Sequence, residues 1–332
     1  MKPIAALLCI VLLTMAAFSC SRKPEIVLPP GSQEQGAEDT FQVADCKRCM
    51  VLAEQIQPAV VIVDAGRSGQ VMWSWYPGES NIAPAHVPWF AQIDDVKPIY
   101  NRQYLLITSS ARGAALIRIA DKKVLWYTSP GINPHSCEVL PDGNIVIASS
   151  TDNHLLLYHT DTTNAYAASP QQIKTVPFAH NVVWDRKRQL LWAAGQNKLY
   201  SFRYNFNCSQ PDLIPQDTFL LPGTQAHDLF PVYGKDSLWL TNPAGTYVVD
   251  LQTMDIARAQ TDYQKNIKSV SSGPEGWPTL IQNPTTSYWS DGILDFDGNT
   301  VFRHSGWKIY KARWFLPNPF SYDGSDQLKV CD

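Results

Sequence analysis

From Cys49 onward the chain is a succession of short apolar runs separated by polar turns: AVVIVDA, YLLITSS, AALIRIA, NIVIASS, QLLWAAG, SLWLTN and TYVVDL, with clusters of Gly, Asp, Asn and Pro between them. Runs this short, alternating or continuously apolar and bounded by turn residues, predict β-strands packed on both faces. No long stretch carries the 3.6-residue period of an amphipathic helix. The pattern therefore predicts an all-β sandwich, barrel or propeller.

A repeat separates these three. The segments DDVKPI from Asp94, HSCEVL from His135, HNVVWD from His180, HDLFPV from His227, KSVSSG from Lys268 and KARWFL from Lys311 each stand ahead of further apolar strands and recur every 41 to 47 residues. A period of that size holding about four strands is the signature of a propeller blade. Six such segments predict a six-bladed β-propeller. Its two ends agree independently. MVLAEQ, AVVIVDA and QVMWSWY supply three strands with no polar opening segment before them, while IYKARWFL has no complete blade after it. The C-terminal strand is thus expected to join the first blade as its innermost strand and close the ring, removing an exposed edge.

The first strand of every blade lines the central channel, so Asp94, His135, His180, His227, Lys268 and Lys311 are expected to form one ring, backed by Asp95, Glu138, Asp228 and Arg313. Three imidazoles at one level suit a divalent metal such as Mn, Zn, Fe or Ni, and His135, His180 and His227 are the candidate ligands. Asp94, Asp95, Glu138, Asp228, Lys268, Lys311 and Arg313 are the candidate ligand-binding residues. Lys268, Lys311 and Arg313, on the cationic arc, are also the candidate catalytic groups. Against this stands the plain alternative of a hydrated, self-neutralising channel lining.

Composition bounds the rest. With 332 residues, 45% of them hydrophobic, the chain can bury a large core. A net charge of −3 without a basic cluster argues against a nucleic-acid partner. Among the 11 Trp, those at 73, 75, 126, 192 and 239 fall inside strands and are expected to pack between blades, whereas Trp277 and Trp289 lie in a turn-rich stretch suited to ligand contact.

Residues 1–19 are expected to be a signal segment. Lys2 is followed by an apolar run, Ile4 to Phe18, shorter than the roughly 20 residues of a membrane-spanning helix. The run ends in Ala-Phe-Ser-Cys, which resembles a bacterial lipobox with Cys20 as the acylated residue. Residues 20–45 read as a tether, 46–325 as the propeller and 326–332 as a C-terminal tail. This places the protein in the cell envelope, held by lipid on the extracytoplasmic side. Cys46 and Cys49 are a structural disulfide or two inert thiols, and the odd number of cysteines beyond Cys20 leaves at least one unpaired or intermolecular.

HSCEVLPDGNIVIASS, AHNVVWD, AHDLFPV, IKSVS and YKARW resemble the recurring motifs of a family of bacterial six-bladed propeller lipoproteins of unassigned function. The resemblance covers the whole chain after Cys20 and implies the fold and export route, but no activity. A histidine-lined channel is more distantly similar to those of oligogalacturonate lyases, which hold a metal on histidines, and of arylsulfotransferases. The reading is therefore an extracytoplasmic protein binding a small anionic or carbohydrate-derived ligand, with a metal-dependent uronate lyase or a non-catalytic envelope scaffold as alternatives.

Overall fold

The computed structural model describes residues 41–161 and 163–331. The signal segment, Cys20 and all but the last residues of the tether lie outside the described residues.

Among the described residues the strands form six four-stranded antiparallel sheets, the blades of a propeller. Blade 1 holds β1 (Cys49–Glu54), β2 (Ala59–Asp64), β3 (Gln70–Trp75) and, from the other end of the chain, β24 (Ile309–Trp314). Blade 2 is β4 (Ile93–Ile99), β5 (Tyr104–Ser109), β6 (Gly113–Arg118) and β7 (Val124–Thr128). Blade 3 is β8 (Pro134–Val139), β9 (Ile145–Ser149), β10 (His154–Tyr158) and β11 (Gln172–Thr175). Blade 4 is β12 (Asn181–Asp185), β13 (Leu190–Ala194), β14 (Lys198–Tyr204) and β15 (Leu213–Leu220). Blade 5 is β16 (Asp228–Pro231), β17 (Ser237–Asn242), β18 (Gly245–Asp250) and β19 (Ile256–Arg258). Blade 6 is β20 (Ser269–Ser271), β21 (Leu280–Gln282), β22 (Gly292–Asp295) and β23 (Thr300–Arg303). The innermost strands β24, β4, β8, β12, β16 and β20 pack against one another in that order around the axis.

The ring closes as the two incomplete ends of the repeat require. β24 pairs with β1, Met50 opposite Trp314 and Val51 opposite Arg313. Because the sheets stack face to face, their strands are apolar on both sides. Val146, Ala148, Leu155 and Leu157 of blade 3 meet Val182, Trp184, Leu191 and Phe202 of blade 4 in one buried cluster. Each such aliphatic side chain stabilises by about 1.5–3 kcal/mol when fully buried. Trp73, Trp75, Trp126, Trp192 and Trp239 are all buried in these interblade layers.

After β24 the chain continues across the end of the channel where the inner strands finish. Phe320 accepts from the Arg186 N–H at 3.1 Å, and the Tyr322 ring lies 5.4 Å from Tyr100 while its hydroxyl donates to Glu138. The backbone at Lys329 then passes over the turn joining β8 to β9. A Cβ on Gly143, whose φ is +96°, would meet the Lys329 carbonyl oxygen at 2.1 Å, so that turn must be glycine. The tail is tied to blade 4 by a Cys208–Cys331 disulfide; Cys46 and Cys49 form a second, and Cys137 is free and buried.

Inside the ring, between this tail and the opposite mouth, the channel is filled by buried ions. Arg313 reaches both oxygens of Asp228 at 2.6 Å and Asp95 at 3.1 Å; Lys311 lies 3.1 Å from Asp228 and 3.6 Å from Asp95. Lys97 pairs with Glu138 at 3.1 Å and donates to the Val182 carbonyl at 2.6 Å. Burial alone would raise the carboxyls of Asp95 and Asp228, but the charges of Lys311 and Arg313 outweigh it and hold both below the usual carboxylate range. Their stabilising effect is therefore complete above the unfolded value of about 3.9 and is lost as pH falls below it.

Two outcomes follow. Deleting residues from Ile309 onward removes the inner strand of blade 1, exposes the edge of β1 and yields aggregate rather than a soluble protein, as size-exclusion chromatography will show; a truncated form as soluble and heat-resistant as the parent refutes the closure. Asp228→Asn leaves Lys311 and Arg313 short of a charge and lowers stability by about 3–5 kcal/mol at pH 7 in urea unfolding, the gap to the parent narrowing only below about pH 4.

Candidate functional site

The channel's open end is shaped by a fault repeated in every inner strand. The β4–β5 register shifts by one residue at Asp94, that of β8–β9 at His135, and that of β24–β1 at Tyr310. In the other three blades the residue just before the inner strand bonds to a carbonyl whose residue already faces the next position. The N–H of His180 bonds to Ala194, paired with Asn181; that of His227 to Thr241, paired with Asp228; and that of Lys268 to Gln282, paired with Ser269. Each is a β-bulge, two residues facing one, which re-aims a side chain at a barrel or propeller rim.

Six bulges thus turn six residues into one mouth: Asp94, His135, His180, His227, Lys268 and Tyr310. Five are those expected from the repeat. The sixth is Tyr310, because the bulge in β24 places Lys311 one layer deeper, with Asp95 and Asp228. Lys311, Arg313, Asp95, Asp228 and Glu138 are accordingly the ion-paired floor of the site, and Lys311 and Arg313 have no exposed surface.

Above the floor is a cavity of about 430 Å³. Besides the six bulge residues, it is lined by the amides Gln55, Gln92, Asn133 and Gln225, by Ser110, and by Phe178, Tyr288 and Trp289. Trp289 is held by its indole N–H donating to Gln55, whose own amide N–H donates to Asp94 Oδ1 at 2.8 Å. Ser110 donates to the same oxygen at 3.2 Å. Trp277 sits away from the mouth, edge-on to Trp314 with ring centres 4.6 Å apart. The amides and Tyr310 were missed in the sequence because they lie outside the aligned column.

Two of the imidazoles stack. His135 and His180 are 4.1 Å apart and 11° from parallel, whereas His227 lies 6.1 Å from His180 and is tilted by 51°. Parallel rings present faces to each other rather than nitrogens to a shared point. Among the described residues no group of three His, Cys, Asp or Glu side chains is arranged to hold a metal ion. Burial, aided by the neighbouring His135 and Lys311, keeps His180 well below the usual histidine range; burial and the charges of Lys268 and Lys311 push His227 down to about 3. Both are neutral at pH 7.

Lys268 is the unusual member. It is only 4% exposed, yet its ammonium has no carboxylate within ion-pair distance among the described residues. Its contacts are both ring nitrogens of His227 at 3.2 Å and the face of Tyr288 at 5.1 Å. Burial and the charge of Lys311 lower its pKa to about 8. A buried cation normally has a counter-ion, and here the space beside it is the cavity. His86, His154, His159 and His304 take no part in lining the cavity; His86 stacks on Trp89 at 3.8 Å.

Comparison with solved structures found similar chains at low sequence identity. A protein of unknown function from Bacteroides caccae is similar at 11% identity with a TM-score of 0.50, covering 80% of this chain and 98% of its own. Hydrazine synthase from Kuenenia stuttgartiensis is similar at 8% identity and a TM-score of 0.42, over 62% of this chain. Dihydro-heme d1 dehydrogenase NirN, solved in complex with DHE, is similar at 15% identity and a TM-score of 0.48, over 86% of this chain. This chain spans 64% and 56% of the length of those last two proteins. No curated protein matches the sequence. Residues 4–332 match the family described as a family of unknown function, DUF6528, and the chain belongs to that family.

Proposed function

We propose that this protein binds a small organic anion in the mouth of its central channel. The observation that carries the reading is Lys268, a buried ammonium facing a 430 Å³ cavity, whose ammonium contacts among the described residues are the neutral imidazole of His227 and the ring of Tyr288. A ligand carboxylate or sulfate would supply the missing counter-ion through a charge-assisted hydrogen bond. The cavity is of ligand-binding size, with aromatic walls and convergent polar groups. Metal-assisted lyase chemistry remains an outcome of the same tests: one equivalent of metal in the purified protein, lost in His180→Ala, would favour it.

We also propose that the protein works outside the cytoplasm, anchored by lipid on Cys20. The Ala-Phe-Ser-Cys motif supports this, and the two disulfides fit an oxidising compartment.

Thermal shifts and calorimetry with a panel of carboxylates, sulfates and their neutral analogues test the first reading. Lys268→Met is expected to cost at least about tenfold in affinity for any anion that binds, the effect of losing one charge-assisted bond, whereas His154→Ala, on the outer part of blade 3, leaves binding unchanged. Affinity should hold from about pH 6 to 7.5 and fall above about pH 8 as the Lys268 ammonium loses its proton. A site built on charged His227 would instead gain affinity between pH 7 and 5, and that result refutes the assignment. For the anchor, Cys20→Ser is expected to leave the protein unacylated and released from the membrane fraction; normal processing and retention would contradict it.

A further inference from the structure

The cavity wall carries two patches of unlike chemistry on blades 6 and 2, which flank Tyr310 of blade 1, and the difference limits what can lie against both. On blade 6 is the Lys268 ammonium over Tyr288, with His227 beside it. On blade 2 is Asp94, 1% exposed, whose Oδ1 already accepts from Gln55 and Ser110. Its second oxygen, Oδ2, has no hydrogen-bond partner, although it is buried and borders the cavity. His135 Nδ1 lies 3.1 Å away but off the bonding direction, so it too is unpartnered, as is Nδ1 of His180.

A carboxylate oxygen needs a donor, and the adjacent imidazole nitrogens need a donor or an acceptor according to their tautomer. A hydroxyl is both. It can donate to Asp94 Oδ2 and accept from an imidazole N–H at once, which neither a second carboxylate nor a hydrocarbon can do. Anions are repelled from this patch by Asp94 itself. Phe178 and Trp289, the latter held at the mouth by the amide of Gln55, line the same cavity and supply aromatic surface suited to the C–H side of a sugar ring.

We infer that the pocket takes a small polyhydroxylated monocarboxylate, a sugar acid, in one orientation: its carboxylate on Lys268 and a hydroxyl donating to Asp94 Oδ2. The inference rests on the anion-binding reading above and adds the hydroxyl requirement and the polarity.

Calorimetry on the full-length protein in detergent tests it with four probes: D-glucuronate, D-gluconate, propionate and D-glucose. One or both sugar acids are expected to bind at least about tenfold more tightly than either propionate or glucose, because each comparator leaves one patch of the pocket unsatisfied. Asp94→Asn and, independently, Ser110→Ala should shrink the sugar-acid to propionate ratio toward one, while Lys268→Met should shrink the sugar-acid to glucose ratio. Propionate binding as tightly as glucuronate, with Lys268→Met weakening both, overturns the hydroxyl requirement and leaves the anion site standing. Glucose binding as tightly as glucuronate, with Lys268→Met without effect, overturns both. Failure of all four probes overturns the sugar-acid assignment, and the wider anion panel then decides the anion site separately.

Discussion

The pairing of β24 with β1 does more than close a ring. The strand that completes blade 1 carries Lys311 and Arg313 into the channel, where they meet Asp95 from blade 2 and Asp228 from blade 5. Without that strand two carboxylates would be buried without cations, which costs several kcal/mol for each ion. Closure and channel filling are therefore one event. The same strand supplies Tyr310 to the mouth through its bulge and leads into the tail that covers the channel's other end.

That arrangement explains why the site sits at one end of the channel. The middle is filled by mutually paired charges and the far end by Tyr322 and the chain around it, secured by Cys208–Cys331. The bulged rim brings incompletely partnered groups together around one cavity: Asp94 Oδ2, the Nδ1 atoms of His135 and His180, and the Lys268 ammonium. A bulge in every inner strand gives each blade one side chain to contribute, and blade identity sets its chemistry: an acid from blade 2, imidazoles from blades 3, 4 and 5, an ammonium from blade 6 and a phenol from blade 1. The resulting polarity across the mouth is a property of the repeat, with each blade varied at one position.

Much of this was legible in the sequence, and the reason is burial. Strands packed on both faces are continuously apolar, so the inner and middle strands of blades 1 to 5 stand out, as does the polar residue that opens each repeat. The outer strands do not. β15 is exposed along most of its length and reads as LIPQDTFL, and β11 is largely exposed, so neither has an apolar stripe to betray it. The short strands of blade 6 are hidden for want of length. The column of channel residues was recovered in five blades and misaligned by one in the sixth, because a bulge inserts a residue without changing composition and IYKARW offers both a tyrosine and a lysine to the eye. The imidazoles fell in the expected column, but their stacking depends on rotation about side-chain bonds, which spacing does not encode. The tail FLPNPFSYDGSDQLKVC has no period at all; its position follows from tertiary contacts and a disulfide.

If Lys268 is a buried ammonium kept for a ligand anion, its own titration will show it. NMR of the lysine side chain, assigned by Lys268→Met, should give a pKa of about 8 in the free protein, rising when a sugar acid or another bound anion is added. A value near the ordinary lysine pKa of about 10.4, unmoved by any anion, would rule out such a role for Lys268.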